Sequence, residues 1–143
     1  MVFFKDLHKF IQTQQQHQQQ QQTLLFERLK NKPFWIFDRE QHKAESARTK
    51  GDCCFNHIIG LPQKEGKRFP LFPYEEILYN TLQDHKYLWV KKSTGLGITE
   101  YILRYMVWLC LRDDTYRNAQ MPIVCGPNLD IAIKLIKRIK NMY

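Results

Sequence analysis

The stretch Tyr87-Leu-Trp-Val-Lys-Lys-Ser-Thr-Gly-Leu-Gly-Ile-Thr99 governs the reading of the chain. Tyr87 to Val90 is a short apolar run of strand-forming residues. Lys91 to Ile98 holds two glycines and reads as a loop. Thr99 to Leu111 is a largely apolar helix carrying Tyr101, Ile102, Leu103, Tyr105, Met106, Val107, Trp108 and Leu109. Upstream, Tyr74 to Leu82 reads as a helix with Ile77, Leu78 and Leu82 on one side. Downstream, Arg112 to Arg117 is a polar turn and Met121 to Cys125 a second strand candidate. Gly126-Pro-Asn128 then introduces a last helix, with Asn128 placed as its N-cap. The order helix, strand, glycine loop, helix, strand, helix predicts an α/β fold, a parallel sheet joined by a right-handed crossover.

Between a strand and a helix, a phosphate-binding P-loop reads G-x-x-x-x-G-K-[ST]. Aligned on its end, Gly97 is the second glycine and Thr99 the hydroxyl residue that would reach a nucleotide-bound Mg²⁺. Gly95 and Gly97 would let backbone amides approach phosphate, and the helix N-terminus adds favourable partial charge. Two positions depart from the pattern: Ile98 stands where lysine is expected, and Lys92 where the first glycine is expected. Lysine acts as a flexible point charge, so Lys92 at the front of the loop can reach the same oxygens, with Lys91 a second candidate. A glycine pair in this position also serves as a plain tight turn. A dinucleotide-binding glycine motif is excluded, since Glu100 stands where its third glycine belongs.

Lysine leading the loop, as Lys92-Ser-x-x-x-Gly97-x-Thr99, resembles the deviant Walker A motif of large terminase subunits, the ATPases that package viral DNA. More broadly it is similar to the helicase-like branch of P-loop NTPases. Phe72-Pro-Tyr-Glu-Glu-Ile-Leu78 resembles the adenine-recognition motif ahead of the first strand in those proteins. Ile123-Val-Cys-Gly-Pro-Asn128 and the helix after it resemble the segment that follows the P-loop. The resemblance covers about residues 70–143 and implies an incomplete P-loop NTPase-type parallel sheet, a βαβ unit after a mostly helical N-terminal region. It implies ATP and Mg²⁺ as cofactors, bound by Lys92, Ser93, Thr94, Gly95, Leu96, Gly97, Ile98 and Thr99, with Tyr74 and Glu75 at the base. Thr99 would be the metal contact, through the nucleotide.

Glu75 replaces the glutamine of that motif. A carboxylate accepts from the adenine amino group but donates to a ring nitrogen only when protonated. No third strand ending in Asp-Glu follows before Tyr143, and no arginine finger can be assigned. The expectation is therefore an ATP-binding front segment of a DNA-acting ATPase, not hydrolytic alone and with its catalytic residues unassigned. The remainder of the ATPase, or further copies of the chain, would be its partners. The competing expectation is a basic nucleic-acid- or protein-interaction module with a purely structural loop.

Outward from this segment the chain divides into residues 1–23, a helix and glutamine-rich spacer; 24–69, helical and irregular; and 70–143, the nucleotide-binding segment. Val2, Phe3, Phe4, Leu7, Phe10 and Ile11 follow helical spacing. Gln12 to Gln22 contains nine glutamines in eleven positions, with no apolar face to bury, and reads as a solvated helix extension or a disordered spacer. Residues 38–50 are polar and helix-compatible, and Gln63 to Arg68 reads as an exposed turn.

The 143 residues carry 22 basic and 14 acidic side chains, a net +8 that favours polyanionic partners. Lys134, Lys137, Arg138 and Lys140 form the polar arc of the last helix, opposite Ile131, Ala132, Leu135, Ile136 and Ile139. That arc is a solvated face or a contact for the backbone of double-stranded DNA. No apolar run approaches the roughly 18–20 residues of a membrane span. Lys5, Asp6, His8 and Lys9 break any signal-peptide core, so an intracellular, cytoplasmic setting is expected, with no membrane partner; the resemblance to terminases is compatible with a viral or virus-derived origin.

Cys53, Cys54, Cys110 and Cys125 are too irregularly spaced for a disulfide framework. Cys53, Cys54 and His57, with His42 upstream, form a cluster whose spacing is not that of a paired zinc motif. The adjacent cysteines are expected to point apart as buried thiols. A Cys–His nucleophile lacks a visible orienting group. Cys110 and Cys125 read as core residues.

Overall fold

The computed structural model describes residues 2–61, 63–64, 67–68, 71–93, 95–112, 114–116, 122 and 129–141. Six helices run through them: α1 (Val2–Leu29), α2 (Arg39–Arg48), α3 (Phe55–Ile58), α4 (Pro73–Asp84), α5 (Ile98–Arg112) and α6 (Leu129–Lys140). A short 3₁₀ turn, Asp114–Tyr116, follows α5.

Glutamine is a good helix former, and the tract from Gln12 to Gln22 is one exposed stretch of α1, the helix-extension alternative of the two expected. What ties α1 down is its last turn and a half, where Leu25 packs against the core and Leu29 lies within it. The helix ends as Asn31 turns to φ 60, a left-handed position that asparagine tolerates. In α2, Asp38 caps the first turn, its carboxylate accepting from the Gln41 amide at 2.7 Å. Lys50 and Gly51, both at positive φ, turn the chain after it. Pro73 opens α4, where its missing N–H costs nothing. The Glu75 carboxylate there accepts from the Phe72 amide at 2.6 Å.

The core gathers on Phe34, in the link between α1 and α2. Its ring is fully buried and meets Phe55 of α3, Tyr79 of α4, and Tyr101, Tyr105 and Trp108 of α5, with centroids 5.2–6.2 Å apart. Leu29, Leu78, Ile98 and Val107 complete the cluster. The Trp108 indole N–H donates to the Lys32 carbonyl at 2.8 Å, closing α5 onto the end of α1. A further buried group is the Tyr101 hydroxyl, which finds no hydrogen-bond partner among the described residues.

Among the described residues the expected parallel sheet is absent. Tyr87 to Val90, read as its first strand, has no ladder partner among them, with Tyr87 83% and Trp89 92% exposed. Of the second strand, Met121 to Cys125, all but Pro122 lies outside the described residues, as does the expected cap Asn128. Among the described residues the only β pairing is the antiparallel ladder of β1 (Gln63–Lys64) with β2 (Lys67–Arg68), in the segment read as an exposed turn. The reason is physical. A parallel strand is stable only with hydrogen-bonded neighbours and cover on both faces, whereas α4 and α5 bury their apolar faces against Phe34 and leave residues 87–90 uncovered. The helical N-terminal region, the helix before the loop and the helix after it were all legible.

Phe34→Ala should lower the unfolding free energy by about 3–5 kcal/mol, the cost of emptying an aromatic site in a packed core, measured by chemical denaturation. Leu24→Ala, at a side chain 66% exposed, should change it by less than about 0.5 kcal/mol. Tyr101→Phe should leave stability equal or higher, because it removes a buried hydroxyl with no described partner.

Candidate phosphate-binding loop

The loop leads directly into α5. Gly95 and Gly97 stand at φ +85 and +74, a region that other L-residues adopt at a cost. A Cβ at either would meet nothing within 4 Å, so the need for glycine is conformational and the space in front of the backbone is open. The Tyr101 amide donates to the Gly97 carbonyl at 3.0 Å, the first helical bond of α5. The amides of Ile98, Thr99 and Glu100 precede that bond, where a helix offers donors to an anion.

Lys91, Lys92, Ser93, Leu96 and Thr99 are exposed, Ile98 is buried as the foot of the helix, and Thr94 lies outside the described residues. Lys92 folds back on the loop, its Nζ donating to the Ser93 carbonyl at 3.4 Å. Ile98, standing where the usual lysine would be, belongs to the core cluster and leaves Lys92 as the loop's charge.

Tyr74 lies beside this loop. Its hydroxyl donates to the Leu96 carbonyl at 2.7 Å across 22 residues of sequence, and its ring stacks on Phe72 at 5.4 Å with an interplanar angle of 11°. Glu75 behaves differently. It is buried, with one carboxylate oxygen committed to the Phe72 amide. Burial raises its pKa, against the opposing pull of that amide and of the Arg104 charge.

Glu100, in the first turn of α5, would by itself repel phosphate. Two arginines answer it: Arg104 one turn on, at 3.1 Å, and Arg138 from α6. Arg138 is thus engaged at the loop's helix, while Lys134, Lys137 and Lys140 of the same expected basic arc stay exposed. Sequence reasoning missed Arg104, 8% exposed, which also donates to the Gly60 carbonyl at 2.7 Å and to Asn56 Oδ1 at 3.2 Å. An arginine inside an otherwise apolar helix was the available signal.

The cysteine cluster also differs from expectation. The chain bends at Cys53 and Cys54, so their sulfurs converge at 3.7 Å. Residues alternate sides along a continuous strand; here Cys54 is extended, at φ −153 and ψ 163, but the chain bends at the pair and enters α3 directly after it. Both thiols are buried, as expected. Burial pushes the Cys54 thiol up to about 12, so without a further partner it is protonated at neutral pH and a poor nucleophile. Cys110 is partly buried within α5, and Cys125 lies outside the described residues.

Compared with protein-family models, curated proteins and solved structures, the chain matches none of them. Among the described residues no helix is long and apolar enough to cross a membrane.

The raised pKa of Glu75 gives a signed pH effect. A carboxyl whose folded pKa exceeds its unfolded value binds more protons when folded, so stability falls as pH rises from the ordinary value of about 4.3 through the raised one. Glu75→Gln keeps an acceptor for the Phe72 amide and cannot ionise. The variant should melt higher than wild type near pH 7, with the gap shrinking near pH 4. Thermal melts at the two values check this.

Proposed function

We propose that residues 92–99 bind the phosphates of ATP with Mg²⁺, as the nucleotide-binding front segment of a terminase- or helicase-like ATPase acting on double-stranded DNA. Lys92 supplies the mobile charge, the amides around Gly97 and the start of α5 cradle the phosphates, and the Thr99 hydroxyl contacts the metal. The observation that carries the reading is the Tyr74–Leu96 hydrogen bond. It joins two motifs, each short in sequence, that the nucleotide reading requires to be neighbours. The Phe72–Tyr74 stack gives a base a partly exposed aromatic neighbour, and aromatic stacking is indifferent to base identity. Glu75 supplies at most half of an adenine-selective pairing, so discrimination between ATP and GTP should be weak.

The rival reading is a basic surface that binds nucleic acid through Lys134, Lys137 and Lys140, with the glycine loop structural. The three lysines are exposed along α6, which supports it. Arg138, paired with Glu100, weakens it.

Titration of the whole chain with MgATP decides between them. Saturable binding is expected with Kd below about 1 mM, roughly −4 kcal/mol. Lys92→Ala and Thr99→Ala should each weaken it about tenfold or more, near 1.4 kcal/mol, without lowering the melting temperature. Glu75→Gln should raise the preference for ATP over GTP. Absence of saturable binding, or binding that survives both substitutions, overturns the assignment. DNA affinity that falls steeply with salt and ignores ATP would favour the rival.

A further inference from the structure

Largely polar, α2 contains no buried residue, and a helix without an apolar face needs some other anchor. One of its contacts with the body of the protein brings metal-ligating side chains together. His42 and Ser46, one turn apart, face the turn that carries Cys53, Cys54 and His57. His42 Nε2 lies 3.7 Å from Cys53 Sγ and 3.9 Å from Cys54 Sγ. The two sulfurs are 3.7 Å apart, and the ligand atoms of these three residues all fall within 4.8 Å of one another. His57 Nδ1 stands 3.3 Å from Cys53 Sγ and 3.4 Å from Ser46 Oγ.

The separations among His42 Nε2, Cys53 Sγ and Cys54 Sγ are those of a metal's coordination shell, while His57 stands next to Cys53 but outside that close group. Zinc held by sulfur at about 2.3 Å and nitrogen at about 2.0–2.1 Å has tetrahedral edges of about 3.4–3.8 Å. Two thiols and two imidazoles in such an arrangement select zinc over the hard, oxygen-preferring cations.

The surroundings hold the donors in place. The His42 ring packs on Trp35 with centroids 4.3 Å apart. Asp52, just before the cysteines, is gripped by Arg28 through both carboxylate oxygens, at 2.9 and 2.6 Å. Its carbonyl accepts from Lys32 at 2.7 Å. After the cysteines, the Phe55 amide donates to the Pro33 carbonyl at 2.9 Å, and the Asn56 side chain to the Phe34 carbonyl at 2.9 Å. The turn is therefore fixed on both flanks before any ion arrives.

We propose that His42 Nε2, Cys53 Sγ and Cys54 Sγ bind one structural zinc ion that fastens α2 to the core, with His57, whose Nδ1 lies beside Cys53 but outside that close group, moving in as the fourth ligand. Four protein ligands leave no open position for water chemistry, and the site is independent of nucleotide binding at the glycine loop.

The test uses the whole chain, reduced, stripped with chelator and titrated with Co²⁺. One equivalent should bind with the visible bands of tetrahedral cobalt and thiolate charge-transfer absorption, and Zn²⁺ should displace it. Zn²⁺ should also raise the melting temperature. His42→Ala, His57→Ala and Cys54→Ser should each weaken Co²⁺ binding by more than about 100-fold, the upper end of what losing an outer partner does. Cys110→Ser, in α5 and away from the cluster, should leave the spectrum unchanged. Failure of the wild-type chain to develop tetrahedral bands at stoichiometric Co²⁺ overturns the site, whatever the variants do. So does a Cys53–Cys54 disulfide that persists under mild reduction. A spectrum and affinity unchanged in His57→Ala would refute the four-ligand assignment.

Discussion

The ring of Phe34 is the constraint on which the rest of the structure depends. It comes from the nine-residue link 30–38, which has no helix or strand of its own, yet it is fully buried and touches aromatic rings of α3, α4 and α5. Offset and edge-on aromatic contacts of this kind add about 0.5–1.5 kcal/mol each beyond simple burial. Its backbone is equally committed, because the Phe34 carbonyl accepts from both the amide and the side chain of Asn56. One residue therefore sets the depth of the core and the position of the turn that carries the cysteines.

From that turn a polar chain runs to the glycine loop. Asn56, fully buried, accepts from Arg104; Arg104 pairs with Glu100; and Glu100 pairs with Arg138 of α6. A buried guanidinium costs desolvation unless its donors are met. Arg104 meets them with a carboxylate, an amide oxygen and the Gly60 carbonyl. The proposed zinc turn and the first turn of α5 are thus two ends of one hydrogen-bonded unit, although 41 positions of sequence separate Cys54 from Gly95. The same unit neutralises the carboxylate that would oppose phosphate at the helix N-terminus.

What the sequence disclosed was local. Helices expected over or within 38–50, 74–82 and 99–111, and after Asn128, form over 39–48, 73–84, 98–112 and 129–140, with Asp38 capping the first and Pro73 opening the second. The positive φ at Gly95 and Gly97 follows from glycine itself. Two things were not disclosed. Tyr87 to Val90 has strand composition, but pairing is a property of neighbours, and composition cannot supply them. The convergence of Cys53, Cys54 and His42 depends on a bend at the cysteines and on α2 folding back over them. Adjacent cysteines carry no spacing signal for either. Arg104 was readable only as a residue type and Tyr74 only as part of the base-recognition motif; their distant partners, Gly60 and Leu96, lie 44 and 22 positions away.

The unequal support of the glycine loop has an energetic consequence. On its C-terminal side Ile98 is in the core, and Tyr74 holds the Leu96 carbonyl. On its N-terminal side residues 87–93 are exposed and belong to no helix or ladder among the described residues. Fixing one residue's backbone costs about 1–2 kcal/mol, so ordering even Lys92 and Ser93 around a phosphate consumes a sizeable part of a millimolar affinity of roughly −4 kcal/mol. Under the proposed nucleotide binding, anything that pairs with Tyr87 to Val90 would lower that cost in advance, because it would hold the front of the loop in place. Affinity for nucleotide and pairing of this segment would then be linked, and by reciprocity each would strengthen the other.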